Sequence, residues 1–196
     1  MTVEKIPVQR IARVLDTLVL IALVCNVIAL YLVPTAVFLG GEGLLEGFVD
    51  YLGGVLHPGP DDIVMARVFA SLAAWTFVWA DAYNAALTLF LVVSGCCTAV
   101  ILRQARRVLK TILRGEPFAP ENAVSLRRAA WACFLIAGAA LARVIFSVCY
   151  YQSPRPLATY NALFVPMFAM GGLLCLVMSA LFRQAAELKA ENDLTI

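Results

Sequence analysis

Residues 103–128 read RQARRVLKTILRGEPFAPENAVSLRR, with seven basic residues and two acids. On either side lie apolar runs of the length that crosses lipid: YNAALTLFLVVSGCCTAVIL at 83–102, and the stretch from Ala129 to Tyr150. A run of about 20 apolar residues matches the hydrocarbon core of a bilayer at 1.5 Å rise per residue. A basic segment between two such runs marks the side of the membrane that keeps its Lys and Arg. The local signals within it are equally direct. Val108, Leu109, Ile112 and Leu113 alternate with cations, so the first helix continues to Arg114. Gly115 stands where a glycine ends a helix, and Pro117 blocks continuation. Pro120 suits the first turn of the next helix, with Glu121 favourable beside its positive end. So short a turn makes the two spans an antiparallel pair.

Working outward, the composition agrees. Of 196 residues, 62% are hydrophobic and 14% charged, with a mean hydropathy of +0.87. Soluble domains carry roughly 25% charged residues. Two further spans complete the set. One is LVLIALVCNVIALYLVPTAVFL at 18–39, with Pro34 near its far end; the other covers 162–182. The first exceeds the 7–15 apolar residues typical of a signal peptide and no A-x-A site follows, so it reads as a span rather than a cleaved leader. The expected fold is all-α: a single transmembrane domain, an integral membrane four-helix bundle with spans at about 18–39, 83–102, 129–150 and 162–182.

Charge placement orients it. Lys5, Arg10 and Arg13 precede the first span, and Arg183 and Lys189 follow the fourth; with the 103–128 loop this collects twelve of the fifteen Lys and Arg on one side. Across the membrane stand Arg67 and Arg155 against Glu42, Glu46, Asp50, Asp61, Asp62 and Asp81. Both termini and the central loop are therefore expected in the cytoplasm, which requires an even number of crossings.

Residues 40–82 form the expected external part. GGEGLLEGFVDYLGGVLHPGPDD reads as a loop along the interface, and Asp61 and Asp62 as a helix start. The following IVMARVFASLAAWTFVWA is apolar enough for a fifth span, but contains Arg67, and a fifth crossing would move the basic loop outside. No turn signal separates it from the second span. Val68, Leu72, Trp75 and Trp79 share a narrow stripe, as for a helix lying against the bundle or the headgroups. The expectation is an external interfacial cap helix, either separate from the second span or continuous with it. At the other outer turn, QSPRPLATYN carries two prolines between Tyr150, Tyr151 and Tyr160, an aromatic belt. Arg183 and Glu187 sit one turn apart in the tail.

GEPFAPENAVSLRRAAW at 115–131 and FRQAAELKAENDLTI at 182–196 together resemble an uncharacterised bacterial membrane family, domain of unknown function 2975. The likeness extends over nearly the full length, four spans and an E-N-D-L-T-I/V ending included. It implies a bacterial inner-membrane protein and a genomic setting in which such genes commonly adjoin one for a small helix-turn-helix regulator. The family has no established catalytic residues, so none is carried over.

Residues that could carry chemistry are few. Cys25, Cys96, Cys97, Cys133, Cys149 and Cys175 all fall in spans, without the Cys-x-x-Cys or loop pair of a thiol–disulfide enzyme. Adjacent Cys96 and Cys97 point about 100° apart on a helix, and the six read as small packing residues. His57 is the single histidine, which excludes bis-histidine haem and multi-histidine zinc sites. No phosphate loop, serine elbow or HExxH pattern occurs. The expectation is no cofactor, no metal and no enzyme activity.

Intramembrane charge leaves Arg143, which either snorkels or pairs with Asp81 or the loop acids, or else contacts a ligand or anion, and Asp16 near the inner end of the first span as a structural interfacial charge. Asn26, Ser94, Thr98 and Ser147 are placed to bond between helices, and the small residues Gly171, Cys175 and Ser179 recur on one face, compatible with a tight bundle or a homo-oligomer. Arg103, Arg106, Arg107, Lys110 and Arg114 would meet anionic lipid headgroups or a cytoplasmic partner. Asp193, Leu194 and Ile196 of the tail are further candidates for partner contact. Direct nucleic-acid binding has no fold to support it. Two readings result: a non-enzymatic membrane regulator that holds a cytoplasmic partner such as a small helix-turn-helix transcription factor, or a small-solute or ion-binding membrane protein using Arg143 beneath the cap helix.

Overall fold

The computed structural model describes residues 5–40, 49, 53–57 and 64–193, all helical or in turns and without a strand among the described residues. Five helices are labelled: α1 Lys5–Gly40, α2 Val64–Phe77, α3 Ala82–Leu113, α4 Pro120–Tyr151 and α5 Tyr160–Asp193. In lipid every backbone N–H and C=O needs a partner within its own segment, which is why apolar runs of this length are helices. Four segments are long and apolar enough to cross a membrane: Gln9–Phe38, Ala82–Leu113, Pro120–Tyr151 and Ala162–Asn192. Three of them contain an expected span whole and extend beyond it, and the first, starting at Gln9, covers all of 18–39 but its last residue. The described residues thus hold four helices of membrane-span length and composition, those of a multi-pass membrane protein.

Helix α2 has 14 residues, roughly 21 Å at helical rise, well short of a hydrocarbon core of about 30 Å. It is not a fifth span. Nor does it run into α3: Val78–Ala80 tightens to a 3-10 turn, and Asp81 is extended at φ −106°, ψ 129°. The Asp61–Asp62 helix start lies outside the described residues.

Residue contacts divide into two units, Met1–Val27 with Cys96–Ile196, and Ile28–Gly95. In the second unit, Val37, Val78 and Leu87 form a buried cluster joined by Val33, Tyr83 and Leu91. The Trp75 indole N–H donates to the Tyr31 carbonyl at 3.3 Å, and the Tyr31 and Ser71 hydroxyls lie 3.3 Å apart. The face that α2 buries is Ser71, Ala74 and Val78, each at most 1% exposed. Val68, Leu72, Trp75 and Trp79 remain exposed. The stripe singled out by hydrophobicity is therefore mostly exposed, Trp75 alone of the four reaching α1 through its indole N–H. Small residues take that face because they let backbones come close, the usual basis of helix packing where lipid supplies no hydrophobic drive. At Gly95 the approach is tight, since a Cβ there would come within 2.9 Å of the Leu30 side chain.

In the first unit, α4 and α5 pack against each other. Ala130, Ile136, Ala137 and Ala140 are among the buried residues of α4. Gly172 meets the Phe134 ring, where an added Cβ would fall 2.8 Å from a ring carbon. Gly171, the glycine picked from the sequence stripe, has open space instead. Further along, the Ser179 hydroxyl donates to the Ala123 carbonyl at 2.7 Å. All six cysteines are free; Cys97 is buried and Cys96 exposed, as their angular separation requires. The α4–α5 connection is a 3-10 turn, Arg155–Ala158. Beside it, the Tyr150 and Tyr151 rings stand edge to face at 5.3 Å and Phe146 stacks on Tyr150 at 5.9 Å.

Candidate functional site

The turn between α3 and α4 is the most elaborately built part of the first unit. Gly115 adopts φ +83°, a left-handed conformation in which a Cβ would clash. Its N–H donates to the Ile112 carbonyl at 3.0 Å and the Glu116 N–H to the Thr111 carbonyl at 3.0 Å. This paired 5→2 and 6→1 pattern is a Schellman motif, closing the carbonyls that a helix end leaves open. Ala119 then takes an extended N-cap conformation and Pro120 opens α4 with Glu121 in its first turn. Below the turn, Asn122 is 1% exposed. Its amide N–H donates to the Pro117 carbonyl at 2.9 Å, and its Oδ1 stands 2.8 Å from the Thr111 hydroxyl. One side chain thereby ties the loop, the end of α3 and the start of α4 together.

Two concavities flank the start of α4. The larger, about 980 Å³, runs from the turn along the facing surfaces of α4 and α5. Its floor is apolar: Phe118, Ala123, Val124, Leu176, Ala180, Ala186 and Ala190. Its rim mixes Arg127, Arg183 and Lys189 with Glu116, Glu121 and Glu187. Phe118 and Phe182 close one side with ring centroids 6.3 Å apart, and Arg183 donates to Glu187 at 2.9 Å, the one-turn pair expected from spacing. The smaller, about 420 Å³, lies between the ends of α3 and α4 and is lined by Arg107, Lys110, Arg114 and Arg128, with Glu121 and the polar Thr111, Asn122 and Ser125.

The candidate residues divide accordingly. Arg107, Lys110 and Arg114 converge on the smaller cleft. Arg106 points elsewhere: its Nε lies 3.0 Å from Asp16 Oδ1, in a partly buried ion pair between α3 and α1. Asp16 is thus structural, and its partner is a residue from the group expected to face lipid or a partner. Arg103 is exposed on α3 and lines neither concavity. Asp81 is exposed, and its carboxylate accepts the Asn84 N–H at 2.9 Å. That makes it the N-cap of α3, where an acid is doubly favoured by the free N–H groups and the helix dipole. Arg143 is half-buried within α4 and lines neither concavity. Asp193 is the last residue of α5; Leu194 and Ile196 lie outside the described residues. His57 is exposed and closes a single helical turn through its N–H to the Gly53 carbonyl at 2.8 Å.

Sequence reasoning missed Asn122, Arg128 and the groove. Helical spacing offered a signal for the cleft, since positions 107, 110 and 114 fall within about 60° of one another around a helix axis. Nothing local announced the groove, because its walls come from residues some 60 positions apart in sequence.

No curated protein and no solved structure matches this chain. A family model described as "Protein of unknown function (DUF2975)" matches residues 68–196. The match begins within α2, at residue 68, runs to the C-terminal residue and leaves α1 outside, a narrower extent than the near-full-length likeness expected from the two motifs. It includes both motifs, the α3–α4 turn and both concavities, and the chain belongs to this family of proteins of unknown function.

Proposed function

We propose that this protein is a non-enzymatic membrane regulator whose groove at the α4–α5 end holds an amphipathic segment of a cytoplasmic protein, a small helix-turn-helix transcription factor being the partner class. The observation that carries this reading is the groove itself. It combines an apolar floor with a rim of both charge signs, the complement of a helix with one apolar stripe flanked by acids and bases. Its place beside the basic turn supports a cytoplasmic location, since twelve of fifteen Lys and Arg gather with the turn and the termini. On this reading both termini face the cytoplasm of the bacterial inner membrane and α2 is an external cap.

Groove filling tests it. Ala186→Trp in the full-length chain places a large ring on the floor. The expected outcome is loss of the co-purified regulator from native membranes, together with altered expression of the regulator's target genes. Unchanged capture and unchanged expression would overturn the reading. Deleting Glu191–Ile196 separates tail from groove: if capture survives the deletion but not Ala186→Trp, the groove alone holds the partner.

A further inference from the structure

We infer that the cleft between the ends of α3 and α4 is a binding site for a phosphate-bearing anion, held by Arg107, Lys110, Arg114 and Arg128. Four cations line a space of about 420 Å³ and face one carboxylate, Glu121. Two helices from opposite sides of the turn supply them: Arg107, Lys110 and Arg114 from one face of α3, Arg128 from the first turns of α4. Among the described residues none of the four enters an ion pair, whereas Arg106 is matched to Asp16 and Arg183 to Glu187. With four cations against the single carboxylate of Glu121, the cleft keeps a net positive charge. Holding like charges together costs energy that a bound anion recovers.

The chemistry of the lining selects phosphate among anions. Arginine presents a planar fork that meets two phosphoryl oxygens at once, and lysine adds a point charge. Asn122 and Thr111, both buried and bonded to each other, fix the floor between the two helix ends, while the four cations stand exposed above it. The volume falls in the range of small-molecule sites, roughly 300–1,000 Å³. The apolar run of α3 ends at Leu102, so Arg107 stands roughly 7 Å further along the helix, at the depth of headgroups. A lipid phosphodiester and a soluble diphosphate share this chemistry. The site stands whether or not a protein fills the neighbouring groove.

The test uses the detergent-purified full-length chain. Native mass spectrometry compares retained phosphatidylglycerol with phosphatidylcholine, and calorimetry measures pyrophosphate binding. Selective retention of phosphatidylglycerol without pyrophosphate binding assigns a lipid headgroup; pyrophosphate binding that displaces phosphatidylglycerol assigns a soluble phosphate. The double variant R107Q/R128Q is expected to weaken whichever binding is found by about tenfold or more, and Arg103→Gln, outside the cleft, by less than about twofold. Should circular dichroism show the double variant unfolded, Lys110→Gln replaces it with the same expected direction. Absence of both phosphatidylglycerol selectivity and pyrophosphate binding in the wild type overturns the inference. So does an equal loss in Arg103→Gln, which would mean diffuse surface charge without a site.

Discussion

The two ends of α4 are built by opposite means. At one end the chain reverses through Gly115 at φ +83°, a Schellman pattern and a buried asparagine bonded to both neighbouring elements. At the other, Gln152 takes the left-handed position at φ 50°, its amide donates to the Cys149 carbonyl at 2.7 Å, and an exposed 3-10 turn leads to α5. The first end uses buried polar bonds and leaves a basic cleft and an apolar groove beside it. The second uses proline stereochemistry and stacked aromatic rings. A turn that only connects two spans needs local stiffness. The α3–α4 turn adds to that stiffness a buried side chain bonded to both the loop and the preceding helix.

The contrast can be broken most sharply at Asn122. Asn122→Ala removes the bonds to Pro117 and Thr111 at a site 1% exposed, and should cost about 1–3 kcal/mol of stability. Gln152→Ala at the exposed end should stay within about 0.5 kcal/mol. Unfolding of each variant in mixed micelles measures both, and equal losses would mean that the two turns are held alike. Next in size is the pair of left-handed residues. Gly115→Ala should destabilise by about 1 kcal/mol, because a Cβ is strained at that φ. Gln152→Gly should be neutral or slightly stabilising, relief of strain offsetting the lost amide bond. The same melts report the signs, and two losses of one sign would refute the conformational account. The smallest effects concern ion pairs. Arg106→Gln leaves Asp16 partly buried without its cation and should cost about 1 kcal/mol. Arg183→Gln, in a pair with side chains 76% and 59% exposed, should cost no more than about 0.5 kcal/mol. High salt should shrink the second and leave most of the first.

What was legible in the sequence follows a physical line. The four span helices, the glycine stop at 115, the proline start at 120 and the Arg183–Glu187 pair depend on stereochemistry and spacing within a few residues. Each is found where expected. Asp81 shows what such reading leaves out. Its charge suggested an ion-pair partner for Arg143, and the structure adds a local use, a bond to an N–H three residues on. The stripe Val68, Leu72, Trp75 and Trp79 left a choice between bundle and headgroups. In a membrane protein large apolar side chains need not face protein, and here Ser71, Ala74 and Val78 are the buried side while the stripe stays exposed.

By itself, then, the sequence determined the class, the number of span helices among the described residues and the stop and start at the α3–α4 turn, since backbone satisfaction in lipid and local turn chemistry leave little choice. Its charge asymmetry carried the expected orientation. Only the tertiary structure decided that Arg106 belongs to Asp16 while Arg107, Lys110 and Arg114 share a cleft with Arg128. It also placed the turn against residues 176–190 to form a groove. Those arrangements depend on how helices rotate and approach one another, which no local spacing specifies.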